Sequence, residues 1–505
     1  MIAKHKICAV VAASDSKSAL AQFRRALKLT STIELRLDWL ANDAEIRNLL
    51  SALGKNRISG ATLIATCRRT VAGGKYRGSP AQQLVHLAEA LRAGCAWYDL
   101  EIETASKCPP ELIDVLLGEG CQLLSAHFFT PPRTSLQKVA SRLAGLHPDG
   151  IKIAAEANTI AQSLEILDLA SPKQNIVTVP MGESALPARV LALSRGSALA
   201  YAPVEHATAP GQVSLDSMLH LYRADKLTRK TRVYGVIGDP ISHSLSPRLQ
   251  NAGFQARKID AVFLPFLVHD LKDFLGAIEP LGIRGFAITL PHKQTILRYL
   301  DECDPMAAAI GAVNTVEVAA TGKLRGYNTD YVGVLRTLET RIPLRSSRVL
   351  IVGAGGAARA VAYALAQAGS SVCVTARRSQ QAESLARSVG GEAVDRRRLP
   401  REFFDAIVNA TPVGMHPLAS ESPLRANELN CRLVFDTIYR PRVTKLMQLA
   451  QRRGIETISG LDMFIAQGTA QFEIWTGQRA PLDPMRRAVL KALANLNPKR
   501  TTRKS

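Results

Sequence analysis

Two residues in the N-terminal half have side chains suited to carbonyl chemistry. Lys152 interrupts the apolar run IKIAAEA (151–157), and His127 lies in QLLSAHFF (122–129). A lysine on a desolvated wall can attack a ketone as a neutral amine and form a Schiff base. A nearby histidine can then transfer protons. Alternatively, Lys152 could extend to solvent from a strand end and His127 could be structural.

A second pair, Lys293 in FAITLPHK (286–293) and Asp330 in GYNTD (326–330), suits the reduction of a ketone. Hydride delivery creates an alkoxide that needs a proton donor, and a lysine held by an aspartate can supply the proton. Either charge could instead be a surface residue. The surrounding motifs are rich in Ser, Thr, Asn and Gln, which suit a polyol carboxylate: ISHSLSP (241–247), GAVNT (311–315), NATPVGM (409–415) and GLDMFIAQ (460–467).

The segment VLIVGAGGAARA (349–360) has the pattern strand, glycine turn, helix. Gly353 would allow the tight turn, Gly355 would let the backbone approach a pyrophosphate, and Ala358 would pack helix on strand. The next strand ends in VCVTARRSQ, without an acid for a ribose hydroxyl. Arg377 and Arg378 stand there instead, which favours the 2′-phosphate of NADP over NAD. Two solvated arginines are the alternative.

Eight short apolar runs divide the first 210 residues, and helical patterns separate most of them. The runs are ICAVVAA (7–13), IELRLDWL (33–40), ATLIATC (61–67), WYDLEIE (97–103), QLLSAHFF (122–129), IKIAAEA (151–157), NIVTVPMG (175–182) and LAYAPV (199–204). Alternating strands and helices predict a parallel sheet, and eight such units fit a (β/α)8 barrel.

Polar residues in or just after these runs would converge at the barrel mouth, where the chemistry of such barrels occurs. They are Glu34, Arg36, Arg68, Glu101, His127, Lys152, Arg189, Thr208 and Gln212. Because buried charges are costly unless paired, this set predicts a site for an anionic, hydroxylated small molecule.

The barrel motifs ELRLD, TCR, SAHFF, GIKIA, MG…R and APGQ, in this order, resemble type I 3-dehydroquinate dehydratase over residues 5–222. The resemblance implies that Lys152 forms an imine with the substrate ketone, that His127 transfers protons, and that Arg189 clamps the carboxylate. It also implies that the hydroxyls and ring are held by Glu34, Arg36, Arg68, Thr208 and Gln212.

The chain departs from that family at two positions. Ala72 stands where the family commonly has an acid, and Phe128 stands where it often has aspartate. The missing acid at 72 would have oriented His127, and losing such a carboxylate can be costly. Either another acid such as Glu101 compensates, or the rate of dehydration is low.

The motifs of the second half resemble shikimate dehydrogenase over about residues 233–495. The resemblance implies that Lys293 and Asp330 form the catalytic dyad. The implied substrate contacts are Ser244 and Ser246 to the carboxylate, Thr289, Asn314 and Gln467 to hydroxyls, and Tyr439 lining the pocket. The expected cofactor contacts are Gly353, Gly355, Gly356, Ala357, Arg377, Arg378, Thr411, Gly460 and Met463. The family's usual Asn-Arg-Thr reads Ala376-Arg377-Arg378 here, so the arginine alone is kept.

The predicted fold class is α/β: an N-terminal (β/α)8 barrel followed by a two-lobed dehydrogenase with a Rossmann-type NADP-binding lobe. The expected boundaries are 1–222 for the barrel, 223–231 for a basic linker, 232–340 for the substrate lobe, 341–460 for the NADP lobe, 461–496 for C-terminal helices returning to the substrate lobe, and 497–505 for a basic tail.

The composition of the 505 residues, 47% hydrophobic and 21% charged, is ordinary for a globular chain. The sequence lacks an apolar run long enough to span a membrane and a recognisable signal peptide, so we expect a cytoplasmic location without a membrane partner. The eight cysteines form no zinc-like pattern, so we expect reduced core residues and no metal.

The net charge of +21 raises the question of nucleic-acid binding. The basic residues are dispersed and only 5% of residues are aromatic, which favours a solvated surface, a basic linker and a basic tail. A positive field also attracts anionic substrates. We therefore expect small-molecule substrates and no nucleic acid, and the sequence leaves the oligomeric state open.

The two resemblances concern consecutive reactions, because one enzyme makes 3-dehydroshikimate and the other reduces it to shikimate. The sequence therefore predicts a bifunctional shikimate-pathway enzyme that uses NADPH. The alternative is a quinate/shikimate dehydrogenase whose barrel is weakly active or only a scaffold, as Ala72 and Phe128 would allow.

Overall fold

A computed structural model of the chain describes residues 2–3, 5–55, 60–130, 134–171, 174–205 and 211–496. No helix among these residues is long and apolar enough to cross a membrane. The chain divides into two compact units, one of residues 1–233 with 260–282 and the other of residues 234–259 with 283–505.

The first unit contains a ring of eight parallel strands, so the eight predicted strands and the barrel are confirmed. The strands are β1 (Ile7–Val11), β2 (Thr32–Arg36), β3 (Thr62–Thr66), β4 (Trp97–Glu101), β5 (Cys121–Phe128), β6 (Gly150–Glu156), β7 (Ile176–Met181) and β8 (Ala200–Pro203). They pair in the order β7-β6-β5-β4-β3-β2-β1-β8. The N–H of Ala198 donates to the carbonyl of Ile176 at 2.8 Å, so the ring nearly closes between β8 and β7.

In the described part of the first unit, eight α-helices accompany the strands of the barrel. They are α1 (Ser16–Leu27), α2 (Asp43–Lys55), α3 (Pro80–Arg92), α4 (Ile102–Ala105), α5 (Pro110–Leu117), α6 (Leu136–Ala144), α7 (Ile160–Leu167) and α8 (Leu186–Arg195). Helix α3 begins at a capping box in which Ser79 and Gln82 exchange side-chain to backbone hydrogen bonds. The strand predicted over 33–40 is shorter than expected, because Leu37–Trp39 forms a 3-10 turn.

Side-chain alternation explains why charges enter the barrel. Ile64, Trp97 and Leu123 belong to one apolar cluster. Since side chains on a strand repeat with a period of two, the residues two positions further along these strands, such as Asp99 and Ser125, share the face of that cluster. Both are fully buried. The apolar cluster thus supports a polar layer nearer the carboxyl ends of the strands.

The next six strands form a mixed sheet. They are β9 (Arg232–Gly238), β10 (Ala261–Leu267), β11 (Ile283–Ile288), β12 (Glu302–Cys303), β13 (Thr315–Val318) and β14 (Leu324–Tyr327), in the order β10-β9-β11-β13-β14-β12. Strand β13 runs antiparallel to β11 and β14. The helices of this segment are α9 (Ser246–Ala256), α10 (Leu271–Gly276), α11 (Ile278–Leu281), α12 (Pro305–Ile310) and α13 (Asp330–Leu338).

A parallel sheet of six strands follows. Its strands are β15 (Arg348–Val352), β16 (Ser371–Thr375), β17 (Glu392–Ala393), β18 (Phe404–Asn409), β19 (Cys431–Asp436) and β20 (Glu456–Ser459), and its helices are α14 (Gly356–Gln367), α15 (Ser379–Ser388) and α16 (Lys445–Gln451). The order β17-β16-β15-β18-β19-β20 is that of a Rossmann fold, with the first strand at the centre. The predicted Rossmann-type lobe is therefore confirmed.

Two last helices, α17 (Gly460–Thr476) and α18 (Leu482–Leu496), complete the second unit. Helix α17 contacts β11 and β13, where the Trp475 Nε1–H donates to the Val316 carbonyl at 2.9 Å. The Trp475 ring also lies 5.6 Å from that of Tyr234. A Cβ at Gly285 would lie 2.5 Å from the indole, so glycine there makes room for Trp475.

We expect Trp475→Ala to lower the free energy of unfolding of the second unit by about 3–5 kcal/mol, because it empties this contact and removes the hydrogen bond from the indole to the Val316 carbonyl. Urea unfolding followed by circular dichroism would measure the change. Two of the three tryptophans, Trp39 and Trp97, lie in the first unit and report on the barrel by fluorescence. Leu482→Ala, at a side chain 49% exposed, is the control and should change stability by less than about 0.5 kcal/mol. Equal stabilities of the two variants would contradict the prediction.

Candidate active sites

Lys152 lies inside the barrel and is only 4% exposed. Its Nζ donates to Asp99 Oδ2 at 2.8 Å, lies 3.4 Å from Glu34 Oε1, and stands 4.0 Å from the centre of the Tyr201 ring. The sequence predicted a lysine on an apolar wall. The wall is buried as expected, but two carboxylates pair with the ammonium group because an isolated charge could not be kept there.

Asp99, which the sequence analysis overlooked, is the centre of this layer. Its Oδ2 accepts from Lys152 and from Arg68 Nη2, both at 2.8 Å, and its Oδ1 accepts from the Ser125 hydroxyl at 2.6 Å. Burial alone would raise the pKa of Asp99, but the Arg68 and Lys152 cations hold it far below its usual range. The available signal was a carboxylate inside the apolar strand, two residues after Trp97.

His127 lies on β5, and neither ring nitrogen has a hydrogen-bond partner among the described residues. Burial, followed by the charges of Arg68 and Lys152, lowers the pKa of His127 well below its ordinary value. The imidazole is therefore neutral at neutral pH and can accept a proton. Two buried, unpaired nitrogens suit a site completed by its substrate.

The two positions at which the chain departs from the dehydratase family, 72 and 128, have different surroundings. Ala72 is buried in the 3-10 turn Thr70–Ala72 and brings no carboxylate. Phe128 packs with apolar residues against the cluster between the barrel and α6, on the opposite side of β5 from His127. An aspartate at 128 would therefore point away from the imidazole in this fold.

Glu101, the alternative acid, is engaged elsewhere. Its Oε1 accepts from the Arg69 N–H at 3.1 Å and the Thr104 hydroxyl at 3.2 Å, and its Oε2 accepts from Gln83 at 2.8 Å. None of these hydrogen bonds reaches His127. The structure thus gives no support to Glu101 as the substitute for the acid missing at 72.

Two arginines differ in their readiness to bind an anion. Arg36 is already paired through Nε and Nη2 with Asp38, at 2.9 and 2.8 Å. Arg189 is 6% exposed, and its Nε and Nη2 have no partner within the described part of the chain. Burial lowers the pKa of Arg189 to about 10. Arg189 lies on α8 rather than at a strand end, and its unpaired fork suits a carboxylate.

Glu34 lies on β2 and is buried. Glu34 accepts a hydrogen bond from the Thr66 hydroxyl at 2.8 Å in addition to its contact with Lys152. Gln212 is half-buried in the segment after β8. Thr208 lies outside the described residues.

In the second unit, Lys293 and Asp330 form the pair that the sequence predicted. Lys293 Nζ lies 2.7 Å from Asp330 Oδ2, and their side chains are 22% and 11% exposed. The Asn314 amide donates to Asp330 Oδ1 at 2.8 Å. Lys293 follows β11 and Asp330 begins α13, so two elements meet at a partly open ion pair.

The predicted polyol ligands surround this pair. Asn314 Nδ2 donates to the Thr329 hydroxyl at 3.1 Å, and that hydroxyl lies 3.5 Å from Gln467 Oε1. Gln471, which the sequence analysis missed, donates to the Asn314 carbonyl at 3.3 Å and supports the cluster from α17. The sequence indicated Gln471 only weakly, since it lies on the same helix one turn after Gln467.

Three further predicted ligands lie where a strand ends or a helix begins. Thr289 follows β11, and its N–H donates to the Ile237 carbonyl of β9. The Ser244 hydroxyl accepts from the Ser246 N–H at 3.2 Å, where α9 begins. Hydroxyls at a helix start favour an anionic group.

The glycine turn has room for a dinucleotide. Gly353 has φ +118°, and a Cβ there would lie 3.0 Å from Thr411 Cγ2 and 3.1 Å from the Ala410 carbonyl. A Cβ at Gly355 or Gly356 would meet no atom within 4 Å. The open space lies at the N-terminus of α14, whose N–H groups suit a pyrophosphate.

Around the turn, Ala357 is half-buried and Ala358 is fully buried against the sheet. Arg377 and Arg378 are exposed after β16, which leaves both guanidinium groups accessible to a phosphate. The chain therefore fits the NADP that the sequence predicted.

The other predicted cofactor residues lie just after β18 and in the first turn of α17, which follows β20. Thr411 donates to Asn409 Oδ1 through its N–H at 3.0 Å and its hydroxyl at 2.7 Å. A Cβ at Gly460 would lie 2.0 Å from the Thr437 carbonyl, so the chain passes there only with glycine. Met463 is buried on α17.

Tyr439 follows β19, and its ring packs on that of Phe464 with centroids 4.8 Å apart. Phe464 lies on α17, one residue after Met463. The predicted pocket tyrosine is therefore anchored to the same helix that carries Gln467.

Family models match nearly the whole chain. Residues 7–229 match type I 3-dehydroquinase, residues 236–316 the shikimate dehydrogenase substrate-binding domain, residues 336–444 shikimate/quinate 5-dehydrogenase, and residues 460–490 the shikimate 5′-dehydrogenase C-terminal domain.

Two relatives are similar to about half of the chain. A shikimate dehydrogenase (NADP(+)) of Bacillus anthracis is 41% identical over 52% of this chain and 99% of its own length. A crystal structure of shikimate 5-dehydrogenase from Thermus thermophilus, in complex with NADP(H) and shikimate, is 36% identical over 52% of this chain and 99% of that one, with a TM-score of 0.48.

One relative spans both halves. The bifunctional 3-dehydroquinate dehydratase/shikimate dehydrogenase, chloroplastic, of Arabidopsis thaliana is 33% identical over 500 residues, which are 94% of this chain and 82% of the relative. The chain therefore belongs to the family of bifunctional 3-dehydroquinate dehydratases/shikimate dehydrogenases.

Proposed function

We propose that the barrel dehydrates 3-dehydroquinate to 3-dehydroshikimate and that the second unit reduces 3-dehydroshikimate to shikimate with NADPH. The observation that carries the proposal is a pair of lysine sites in one chain. Lys152 is buried inside the barrel, and among the described residues the His127 ring nitrogens and Arg189 Nε and Nη2 have no hydrogen-bond partner, as carbonyl chemistry on an anionic substrate requires. Lys293 and Asp330 form a partly exposed proton-transfer pair.

In the barrel, Arg189 would bind the substrate carboxylate through its free fork. The Lys152 ammonium must lose a proton before its amine attacks the ketone, and the neutral His127 is suited to accept it. Water then leaves the carbinolamine to give the imine. His127 would next remove the α-proton, return a proton to the departing hydroxyl, and assist hydrolysis of the imine, which frees Lys152.

In the second unit, NADPH supplies a hydride to the ketone when it is bound. Gly353, Gly355 and the first turn of α14 would hold its pyrophosphate, and Arg377 and Arg378 its 2′-phosphate. Ser244 and Ser246 would bind the substrate carboxylate. Lys293 would give the proton to the developing alkoxide, and Asp330 would hold that ammonium in place.

The domain boundaries at 222, 231, 340, 460 and 496 remain proposals, which limited proteolysis with mass spectrometry would test. A cytoplasmic location is likewise a proposal for this chain, and the plant relative is described as chloroplastic. Cell fractionation would decide between the two compartments.

The experiment that tests the function supplies purified protein with 3-dehydroquinate and NADPH, and follows both products together with NADPH oxidation. Formation of shikimate would establish both activities. Turnover that begins only when 3-dehydroshikimate is supplied would favour the alternative, a dehydrogenase with a scaffold barrel, for which the missing acid at Ala72 is the specific observation. Supplying quinate with NADP+ and following NADPH formation tests whether the second unit is a quinate dehydrogenase.

We expect Lys152→Ala to abolish dehydration and leave reduction intact, because no imine can form. Lys293→Ala should lower reduction by about 100- to 10,000-fold, the contribution of a positioned acid, and leave dehydration intact. Each variant is the folding control of the other. Borohydride treatment with 3-dehydroquinate should add substrate mass to the peptide that contains Lys152. Survival of both activities in both variants would make the site assignments wrong.

Restoring the family's acid is expected to accelerate dehydration. A carboxylate in Ala72→Glu would orient His127 and raise its basicity, for a gain of roughly ten-fold in turnover. Ala72→Gln, which has the same size without the charge, is the matched control. Equal turnover of the two variants would show that the acid at this position has no effect in this chain.

Cofactor preference is expected to depend on the two exposed arginines. Replacing Arg377 and Arg378 together by alanine should raise the KM for NADPH by at least about ten-fold through loss of two charged contacts, while the KM for NADH stays within two-fold. Steady-state reduction of 3-dehydroshikimate with each cofactor measures this. A parallel rise with both cofactors would exclude a contact to the 2′-phosphate.

A further inference from the structure

Asp436, the last residue of β19, is a fully buried carboxylate that connects three segments. Its Oδ1 accepts from Asn409 Nδ2 at 3.0 Å and from the Ile438 N–H at 3.1 Å. Its Oδ2 accepts from the Thr444 hydroxyl at 2.6 Å. All three donors are neutral. Burial raises the pKa of Asp436 to about 6, so the fold keeps an acid where a neutral side chain would be easier to bury.

Asp436 helps to set the orientation of the Asn409 side-chain amide. An ionised carboxylate only accepts, so Asn409 must turn its amino group toward Asp436. The same amino group donates to the Val413 carbonyl at 3.1 Å. Asn409 Oδ1 consequently faces the other way, where it accepts from the N–H and the hydroxyl of Thr411 at 3.0 and 2.7 Å.

This chain of hydrogen bonds ends beside the glycine turn. Thr411 Cγ2 lies where it would be only 3.0 Å from a Cβ at Gly353. The turn 411–413 and the glycine turn therefore have to be held against each other closely. On the other side of the carboxylate, the Thr444 hydroxyl accepts from the Met447 N–H at 3.3 Å and begins α16, so its proton is directed at Asp436.

We infer that Asp436 is a positioning residue for the cofactor: it sets the orientation of the Asn409 amide and so holds Thr411 and the turn 411–413 in the shape that receives NADPH. The inference rests on the proposed use of NADPH by this unit. It assigns a role to an acid that touches neither the substrate nor the cofactor.

The test is Asp436→Asn, which keeps size and shape but adds a donor. The new amide can present an amino group to Asn409, which then favours the reversed Asn409 amide and competes with the Val413 carbonyl and the Thr411 N–H that hold it in the observed orientation. We expect the Kd and the KM for NADPH to rise by about ten-fold, as for the loss of one charge-assisted hydrogen bond. The kcat at saturating NADPH and the KM for 3-dehydroshikimate should stay within two-fold. Fluorescence titration of NADPH and steady-state kinetics measure these quantities.

Matched variants separate positioning from general weakening of the lobe. Thr444→Val removes the hydroxyl that donates to Asp436 and should also raise the KM for NADPH, whereas Thr444→Ser keeps the hydroxyl and should restore it. Glu428→Gln alters another buried acid of this lobe, which pairs with Arg396. It should leave the KM for NADPH unchanged even where the melting temperature falls.

The outcomes distinguish this inference from the proposed function. Wild-type reduction with NADPH, combined with NADPH binding by folded Asp436→Asn within two-fold of wild type, would overturn the inference alone. A fall in kcat together with rises in the KM values for both NADPH and 3-dehydroshikimate would also overturn it if Glu428→Gln caused the same changes, because they would indicate a structural role. Wild-type protein that neither binds nor oxidises NADPH would overturn both.

Discussion

The pairing of buried charges inside the barrel is the constraint on which the first unit depends. A lysine that is to attack a ketone must be removed from bulk water, yet its ammonium form cannot be buried alone. Asp99 resolves this conflict, since it contacts Lys152, Arg68 and Ser125 at once. Glu34 adds the second negative charge beside the lysine. The barrel thus holds the Lys152 ammonium in place until substrate binds and the neutral His127 accepts its proton.

The second unit also relies on buried carboxylates that each accept several hydrogen bonds. Its acids stand at the ends of strands and the starts of helices, where backbone N–H groups and side-chain amides can reach them. Asp330 is shared by Lys293 and Asn314, and Asp436 is shared by Asn409, Ile438 and Thr444. In each case a carboxylate fixes an asparagine amide, and that asparagine fixes a threonine of a binding loop. The positions of Thr329 and Thr411 therefore depend on carboxylates at the start of α13 and at the end of β19.

The architecture could be predicted from the sequence because period and spacing determine it. The eight barrel strands and the glycine turn follow from local patterns, whereas the two lysine sites were expected from the family resemblance of the motifs around them. Asp99 could not be assigned in the same way, since one acid in an apolar strand gives no information about which residues of other strands it meets. Arg189 was expected after strand seven and lies there, on α8, but the sequence could not show that its guanidinium is buried with Nε and Nη2 lacking a partner among the described residues. Asp436 escaped notice for a further reason, in that its partners are neutral and only the folded sheet brings them together.

The unpaired groups of the barrel would make the stability of the protein depend on bound substrate. His127 and Arg189 hold buried polar atoms without partners among the described residues, and each such atom lowers stability until a ligand satisfies it. Bound substrate would supply those partners and stabilise the folded state by mass action. When substrate is scarce, a larger share of the molecules would then open and become accessible to proteases. The amount of enzyme in a cell would then follow the flow of substrate without any dedicated regulator.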